Sequence, residues 1–169
     1  RTTPPNSSLQ TTRPGVARLN APAQRPREVN FVYLQREELY VGYGDTHFGK
    51  QRYHEALQRY KTAALSAPGM SEIHFRQGHA LVATNRYEMA ADAFRRAIAL
   101  EGNVNRGGFE LSDLYRYNEL AKNAHIENLA QIALQQPNDP DAYFVIGLFL
   151  YYDGQQARSR KFFQQAKNL

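Results

Sequence analysis

The sequence predicts an all-α protein, a solenoid of about four helical hairpins preceded by an extended N-terminal arm. The hairpins are predicted because the helical pattern that begins at Arg52 recurs at Arg86, 34 residues later, and because Pro or Gly follows the helical segments. The arm is predicted because residues 1–30 are rich in Pro, Thr, Ser and Arg and have no helical or strand period. A fixed period of this length is typical of solenoids, in which each hairpin buries its apolar face against its neighbours.

Apolar residues at helical spacing predict the individual helices. Pro68 ends the second helix because proline cannot continue a helix. Ser71 is predicted to cap the third helix, with Glu72 in its first turn. The ten-residue apolar run of residues 143–152 is too short to span a bilayer, which needs about 20 residues, and is predicted to be a core helix. The other predicted helices cover residues 32–49, 52–66, 71–84, 86–100 and 119–135, and the residues before 119 form a long loop with one helical turn.

Charge separates the arm from the body. The net charge of the 169-residue chain is +5. Five arginines against one glutamate give residues 1–30 a net charge of +4, so the remaining 139 residues are almost neutral. Because the chain has no cysteine, disulfides, thiolate zinc sites and cysteine nucleophiles are excluded.

Small residues and aromatics recur at fixed places in the period. Counting from Glu37, Ser71 and Pro140, the eighth residue is a glycine, and small residues and an aromatic follow at set distances. These positions are Gly44, Ala56, Tyr60 and Ala63; Gly78, Ala90, Phe94 and Ala97; and Gly147, Phe163 and Ala166, with Ser159 in place of an alanine in the last set. In this pattern the chain resembles the tetratricopeptide repeat family. The resemblance implies a right-handed solenoid in which glycine or alanine lets two helices approach and the aromatic fills the space between hairpins.

The repeat divides residues 31–169 into units, and residues 1–30 form the arm. The units cover about 37–70, 71–104, 106–139 and 140–169. The third is degenerate, because His125 stands where a small residue is expected.

The resemblance also implies a partner groove, which we call the first-helix groove because the first helix of each unit lines it. In this family such a groove holds an extended or helical segment of another protein. The sequence equally allows these side chains to be core residues, since aromatic stripes on helices usually pack inside. Val41 and Asp45 replace the lysine and asparagine with which some members bind a C-terminal carboxylate, so that specificity is disfavoured. The implied groove residues are Val41, Asp45, Phe48, Phe75, Arg76, His79, Val82, Phe144, Leu148 and Tyr151.

No catalytic or cofactor motif is found in the sequence. His74 and His79 are five residues apart, a spacing that does not place two ligands on one helix face. The glycines of residues 42–49 follow no predicted strand and lack the phosphate-loop spacing, and no serine nucleophile elbow is present. We therefore expect a protein that is not an enzyme and that has no cofactor and no metal.

The arm supports several interpretations. It could be a tether, a strand that docks on its own body, or a strand that docks on a neighbouring copy and builds rings or filaments. Scattered arginines without interleaved aromatics favour nucleic acid only slightly. An N-glycan sequon at Asn6 and the hydroxyls of Thr2, Thr3, Thr11 and Thr12 favour an exported or cell-surface protein, and the start at Arg1 suggests that an upstream segment was removed.

These observations predict a non-enzymatic scaffold for protein–protein interaction that assembles with itself or with a partner through its groove and arm. The last helix ends at Leu169 without a polar capping helix, which also favours a homo-oligomer. The alternatives are an exported structural subunit of a filament, glycosylated on the arm, and a nucleic-acid-associated adaptor that uses the basic arm. The sequence leaves the partner and the compartment open.

Overall fold

The computed structural model of the protein describes residues 31–101 and 110–169. These two ranges contain α-helices and no β-strand. The predicted arm, residues 1–30, lies outside them, and so do the glycan acceptor residues. The helices are α1 (Phe31–Gly49), α2 (Tyr53–Ser66), α3 (Ser71–Ala83), α4 (Tyr87–Glu101), α5 (Leu111–Leu114), α6 (Glu119–Gln135), α7 (Pro140–Tyr152) and α8 (Gln156–Asn168).

The prediction of an all-α hairpin solenoid is confirmed. The predicted bounds of α1 to α4 and of α6 agree with the structure to within one residue, and α7 begins three residues before the apolar run that predicts it. One local prediction is wrong. Ser71 does not cap α3, because the N-cap residue is Met70 and no side chain caps this terminus. Instead the Ser71 hydroxyl donates a 2.5 Å hydrogen bond to Glu101 at the end of α4. The Ser71 hydroxyl thus makes a tertiary contact between α3 and α4 and does not cap its own helix.

Three hairpins, α1–α2, α3–α4 and α7–α8, share the same internal contact. A Cβ atom added at Gly44 would overlap the ring of Tyr60, and one added at Gly78 would overlap the ring of Phe94. In the last hairpin, Gly147 lies in the same way against Phe163. Each glycine therefore lets the first helix of its hairpin lie directly on an aromatic ring of the second.

The turns of these hairpins are also equivalent. Gln51, Asn85 and Gly154 occupy the same place in the repeat, and each has a positive φ, of 60°, 59° and 77°. The amide that follows each of them donates to a carbonyl five residues earlier, as in the 2.9 Å bond from Arg86 to Leu81. Such a bond ends a helix with a residue in the left-handed region. Glycine, which has no Cβ penalty there, occupies this place only in the last hairpin.

The order of stacking differs from the order of the sequence. Helix α3 packs on α2, and α7 packs on α4, so the last hairpin follows the second one directly. We call the residues of α5 and α6, 110–135, the insert. Here α5 contacts α1 and α6 lies beside α7. The described part of the degenerate third unit therefore does not stand between its neighbours in the stack.

The insert is held at the turns of the three hairpins. Lys122 of α6 forms ion pairs with Asp153 (2.6 Å) and Glu119 (2.8 Å). Asn128 donates to the hydroxyl of Tyr87 at the start of α4 (2.8 Å). These contacts hold α6 against the second and last hairpins, although α6 does not belong to a hairpin of the stack.

Candidate functional site

The structure places most of the first-helix groove in the interior. Six of its ten predicted residues are buried, namely Phe48, Phe75, Arg76, His79, Val82 and Leu148. Val41, Asp45, Phe144 and Tyr151 are half-buried. The buried six pack the hairpins together and do not form an open surface.

Neighbouring elements cover these positions. The ring of Tyr115, in the insert, lies 4.9 Å from that of Phe48. The ring of Tyr152 on α7 lies 5.4 Å from that of Phe75, and Phe149 lies 4.7 Å from His79. The place that the sequence assigned to a partner is thus taken by the chain's own insert and by α7.

Arg76 is the charged residue at the centre of this face. Its Nε donates to Asp45 (2.9 Å) and its Nη1 to Glu72 (2.5 Å). Burial alone would lower the pKa of Arg76, but the two carboxylates raise it overall. The same Asp45 accepts a 2.7 Å bond from the hydroxyl of Tyr60, and burial together with this carboxylate raises the pKa of Tyr60. Arg76 therefore ties the first hairpin to the second.

Two histidines in this region are held in the neutral form. His79 is completely buried among aromatic rings, and burial, with a smaller effect of Arg76 and His125, lowers its pKa to about 3. Burial also lowers the pKa of His125, which shares a 2.6 Å hydrogen bond with Tyr115 through Nδ1. A neutral imidazole packed among rings is a core group at neutral pH.

The half-buried residues of the first-helix groove are still partly accessible to another molecule. Phe144 lies beside the ring of Phe163 and under the guanidinium of Arg95, which is 5.2 Å from its centroid. Tyr151 packs edge-on against Tyr152. Their exposed edges lie on the last hairpin, away from Val41 on α1.

Most of the residues predicted to pack the repeat are buried. Phe163 and Ala166 of the last helix are half-buried. The others are buried: Gly44, Ala56, Tyr60, Ala63, Gly78, Ala90, Phe94, Ala97 and Gly147.

An open groove of about 720 Å³, which sequence reasoning missed, lies between α2 and α4 over α3. Its rim carries Leu65, 85% exposed, and Met89, 49% exposed. We call it the outer groove. The sequence could have indicated this groove, because the groove residues on α4 are spaced i, i+3, i+4 and i+7. This spacing is typical of a helix face that packs against another element. Its lining is Leu57, Lys61, Ala64, Leu65 and Pro68; His74, Gln77 and Leu81; and Met89, Asp92, Ala93 and Arg96.

Polar groups on the floor of the outer groove are satisfied within the protein. The ring nitrogens of His74 lie 3.1 Å from two acceptors, Nε2 from Pro68 O and Nδ1 from Gln77 Oε1, so a neutral ring donates to one of them. Gln77 also donates to the carbonyl of Tyr60. Buried polar groups that are already paired present little demand for a ligand. Apolar side chains of a partner would therefore meet a floor whose polar groups already contact the protein's own polar atoms.

Within residues 31–101 and 110–169, no three His, Asp or Glu side chains come close enough together to hold a metal ion. No helix in those ranges combines the length and the apolar character that crossing a membrane requires.

Stacked helical hairpins with interlocking small residues and aromatics define the class of helical-repeat proteins. Residues 44–103 match the family model of the tetratricopeptide repeat. The matched residues, which include α2, α3, α4 and part of α1, are tetratricopeptide repeats. No curated protein matches the chain. Repeats of this family build scaffolds for protein–protein interaction, and this is the general function that the match assigns.

Proposed function

We propose that the protein is a non-enzymatic scaffold that holds a segment of another protein on the outside of its hairpin stack, with residues 1–30 as a tether or docking strand. The outer groove is the observation that carries the proposal. It is open to solvent, has an apolar floor formed by Leu57, Leu81 and Ala93, and lies between two helices fixed by the stack. A rigid concave surface of this kind loses little entropy when a partner binds.

The first-helix groove has a secondary part in this proposal. Its half-buried residues Val41, Asp45, Phe144 and Tyr151 can add contacts at the edges of the stack. Its buried residues hold the hairpins in their positions relative to one another.

The arm is proposed as an assembly element, with the repeat domain beginning at residue 31. Its net charge of +4 against a nearly neutral body supports a separate role. The test is the mass in solution, by light scattering, of the full chain beside a chain that lacks residues 1–27. An assembly of the full chain that becomes monomeric on deletion supports docking of the arm on another copy. A 19.3 kDa monomer at all concentrations contradicts self-assembly.

The same two chains test the alternative functions. Large particles that grow with concentration and need the arm would support a filament subunit. Retention on DNA or RNA that falls steeply with salt, and that deletion of the arm abolishes, would support a nucleic-acid adaptor. No contact among the described residues favours either alternative over the scaffold.

A further inference from the structure

We propose that the outer groove is a docking site for an amphipathic helix of a partner protein that carries carboxylates beside its apolar stripe. The inference rests on the proposed scaffold function and specifies the chemistry of the partner. Three features of the described residues support it: the shape of the groove, its unpaired charges, and an equivalent space in the same molecule that is already filled.

The shape of the groove suits a helix. Helix α2 presents Leu57, Lys61, Ala64 and Leu65 along one stripe, and α4 presents a second stripe opposite it. Two helices that face each other across an apolar floor offer the ridges between which a third helix packs. The 14 residues of α2 span about 21 Å, so a partner helix of about four turns would cover the groove.

Two cations on the rim have no ion-pair partner among the residues that the structure describes, namely Lys61 on α2 and Arg96 on α4. Arg96 lies one residue beyond the repeat equivalent of Lys61, so the two stand at nearly the same level on opposite walls. Asp92, the acidic residue of the rim, is 3.6 Å from Arg95. The free charges of the groove are therefore positive, which favours a partner with carboxylates and disfavours the basic arm as its occupant.

The equivalent space between the second and last hairpins shows what fills such a groove. Tyr143 and Phe162 stand there in the places of His74 and Ala93, and their rings are 6.3 Å apart. Arg95, the repeat equivalent of Lys61, forms an ion pair with Asp141 of α7. Thus the chain fills this space with two aromatic rings and pairs Arg95 with a carboxylate. In the outer groove, Glu72, the repeat equivalent of Asp141, pairs with Arg76 instead, so that Lys61 has no such partner among the described residues. A partner helix would supply the same chemistry to the outer groove.

The test uses the full chain and three labelled peptides in fluorescence polarisation, two designed peptides of 16 residues and one segment of this chain. The first peptide is helical, with Leu and Phe at i, i+3, i+4 and i+7 and Glu beside this stripe. The second has Lys in place of every Glu, and the third is residues 1–27 of this chain. We expect the Glu peptide to bind at least about tenfold more tightly than either of the others, and to bind less tightly as salt rises.

Variants locate the binding. Arg96→Glu should weaken the Glu peptide about tenfold and strengthen the Lys peptide, and Leu65→Ser should weaken both. Leu134→Ser, at an equally exposed leucine of α6, and Arg160→Glu, at an exposed arginine of α8, are matched controls that should change neither. All four positions are exposed, so the variants are expected to keep the fold, which circular dichroism checks.

The proposal is overturned if Arg96→Glu changes the affinity of the Glu peptide less than twofold, or if the peptide of residues 1–27 binds this groove as tightly as the Glu peptide. In either case the scaffold function stands, provided that the chain associates through its arm or another surface. If none of the peptides binds, this inference fails and the proposed function loses the groove that carries it. The light-scattering comparison of the full and arm-deleted chains then tests self-assembly separately.

Discussion

At the scale of single residues, one glycine in each hairpin sets the distance between its two helices. Gly78 contacts Phe94, whose ring is completely buried and also lies within 6.3 Å of Phe75 and 6.4 Å of Phe149. Because neighbours enclose this ring, it cannot move aside for an added methyl group. Gly42, on the exposed side of α1, has no atom within 4 Å of the place where a Cβ would lie.

Gly78→Ala and Gly42→Ala are therefore expected to have opposite effects. Gly78→Ala should lower the free energy of unfolding by about 2 kcal/mol through overpacking. Gly42→Ala should raise it by up to about 1 kcal/mol, because alanine is the better helix former. Urea unfolding of both variants measures the difference. If Gly42→Ala is destabilised or Gly78→Ala is stabilised, the contact with Phe94 does not determine which side-chain size these positions accept.

His79 makes stability depend on pH. Its folded pKa is about 3, below the ordinary value of 6.5, so the unfolded chain binds a proton that the folded chain does not. The folded state is therefore favoured most above pH 6.5, and stability is lost as the pH falls from 6.5 towards 3. Between pH 7 and 5.5 we expect a loss of about 1.3 kcal/mol from this group, and a further loss in the same direction from His125.

Urea unfolding at these two pH values, on the protein and on His79→Phe, tests this expectation. The phenyl ring keeps an aromatic side chain against Phe94 and Phe149 but cannot titrate. The variant should therefore lose less stability on acidification. His54→Gln, which replaces an exposed histidine, is the control and should behave as the original protein does. Equal pH dependence in all three proteins would refute the assignment.

At the scale of elements, the insert is held to the stack by a buried ion pair. Lys122 and Asp153 have side chains only 6% and 9% exposed, and their atoms are 2.6 Å apart. Burial would lower the pKa of Lys122, but its hydrogen bonds to Asp153 and Glu119 raise it overall, so its charge is retained. Removing one partner of such a pair leaves a buried charge that is less well compensated.

Asp153→Asn should therefore lower the free energy of unfolding by about 3 kcal/mol. Asp92→Asn, in the more exposed pair with Arg95, should change it by less than about 0.5 kcal/mol. Thermal unfolding followed by circular dichroism compares the two variants. If they are equally stable, the insert is not anchored by this pair.

At the scale of the whole molecule, burial is distributed unevenly along the stack. Helix α3 is buried at nine of its 13 residues, since it lies between α2 and α4 and beneath rings of α7. In α8, Ser159 is the buried residue. Backbone amides exchange through local opening, which costs most where packing is densest.

Hydrogen exchange followed by mass spectrometry should therefore find the slowest amides in α3 and the fastest helical amides in α8. The insert should fall between them, because its buried side chains lie on one face of α6. Protection of α8 equal to that of α3 would mean that another surface covers α8 in solution. The arm-deleted chain would then show whether residues 1–27 provide that cover.

The sequence by itself determined the hairpins, their bounds and their internal contacts. A glycine and an aromatic 16 residues apart recur three times. Their contact follows from the spacing of residues within one hairpin and from the sizes of the two residues, so the sequence is sufficient to predict it. Likewise the turns at Gln51, Asn85 and Gly154 share one place in the repeat. The exception at this level is Ser71, where Glu101 competes successfully with the local backbone for the hydroxyl.

Only the tertiary structure decided which faces remain open. The period cannot show that α7 packs directly on α4, because that contact joins residues separated by the insert. As a result, side chains such as Phe75 and His79, predicted to line a groove, became core residues, while the stripes of α2 and α4 were left facing solvent. An apolar stripe in the sequence predicts that one face of a helix is buried, but it does not predict which neighbour covers that face. The neighbour is decided by contacts between residues that are distant in the chain. Here those contacts cover the first helix of each hairpin and leave an open groove between α2 and α4, the second helices of the first two hairpins.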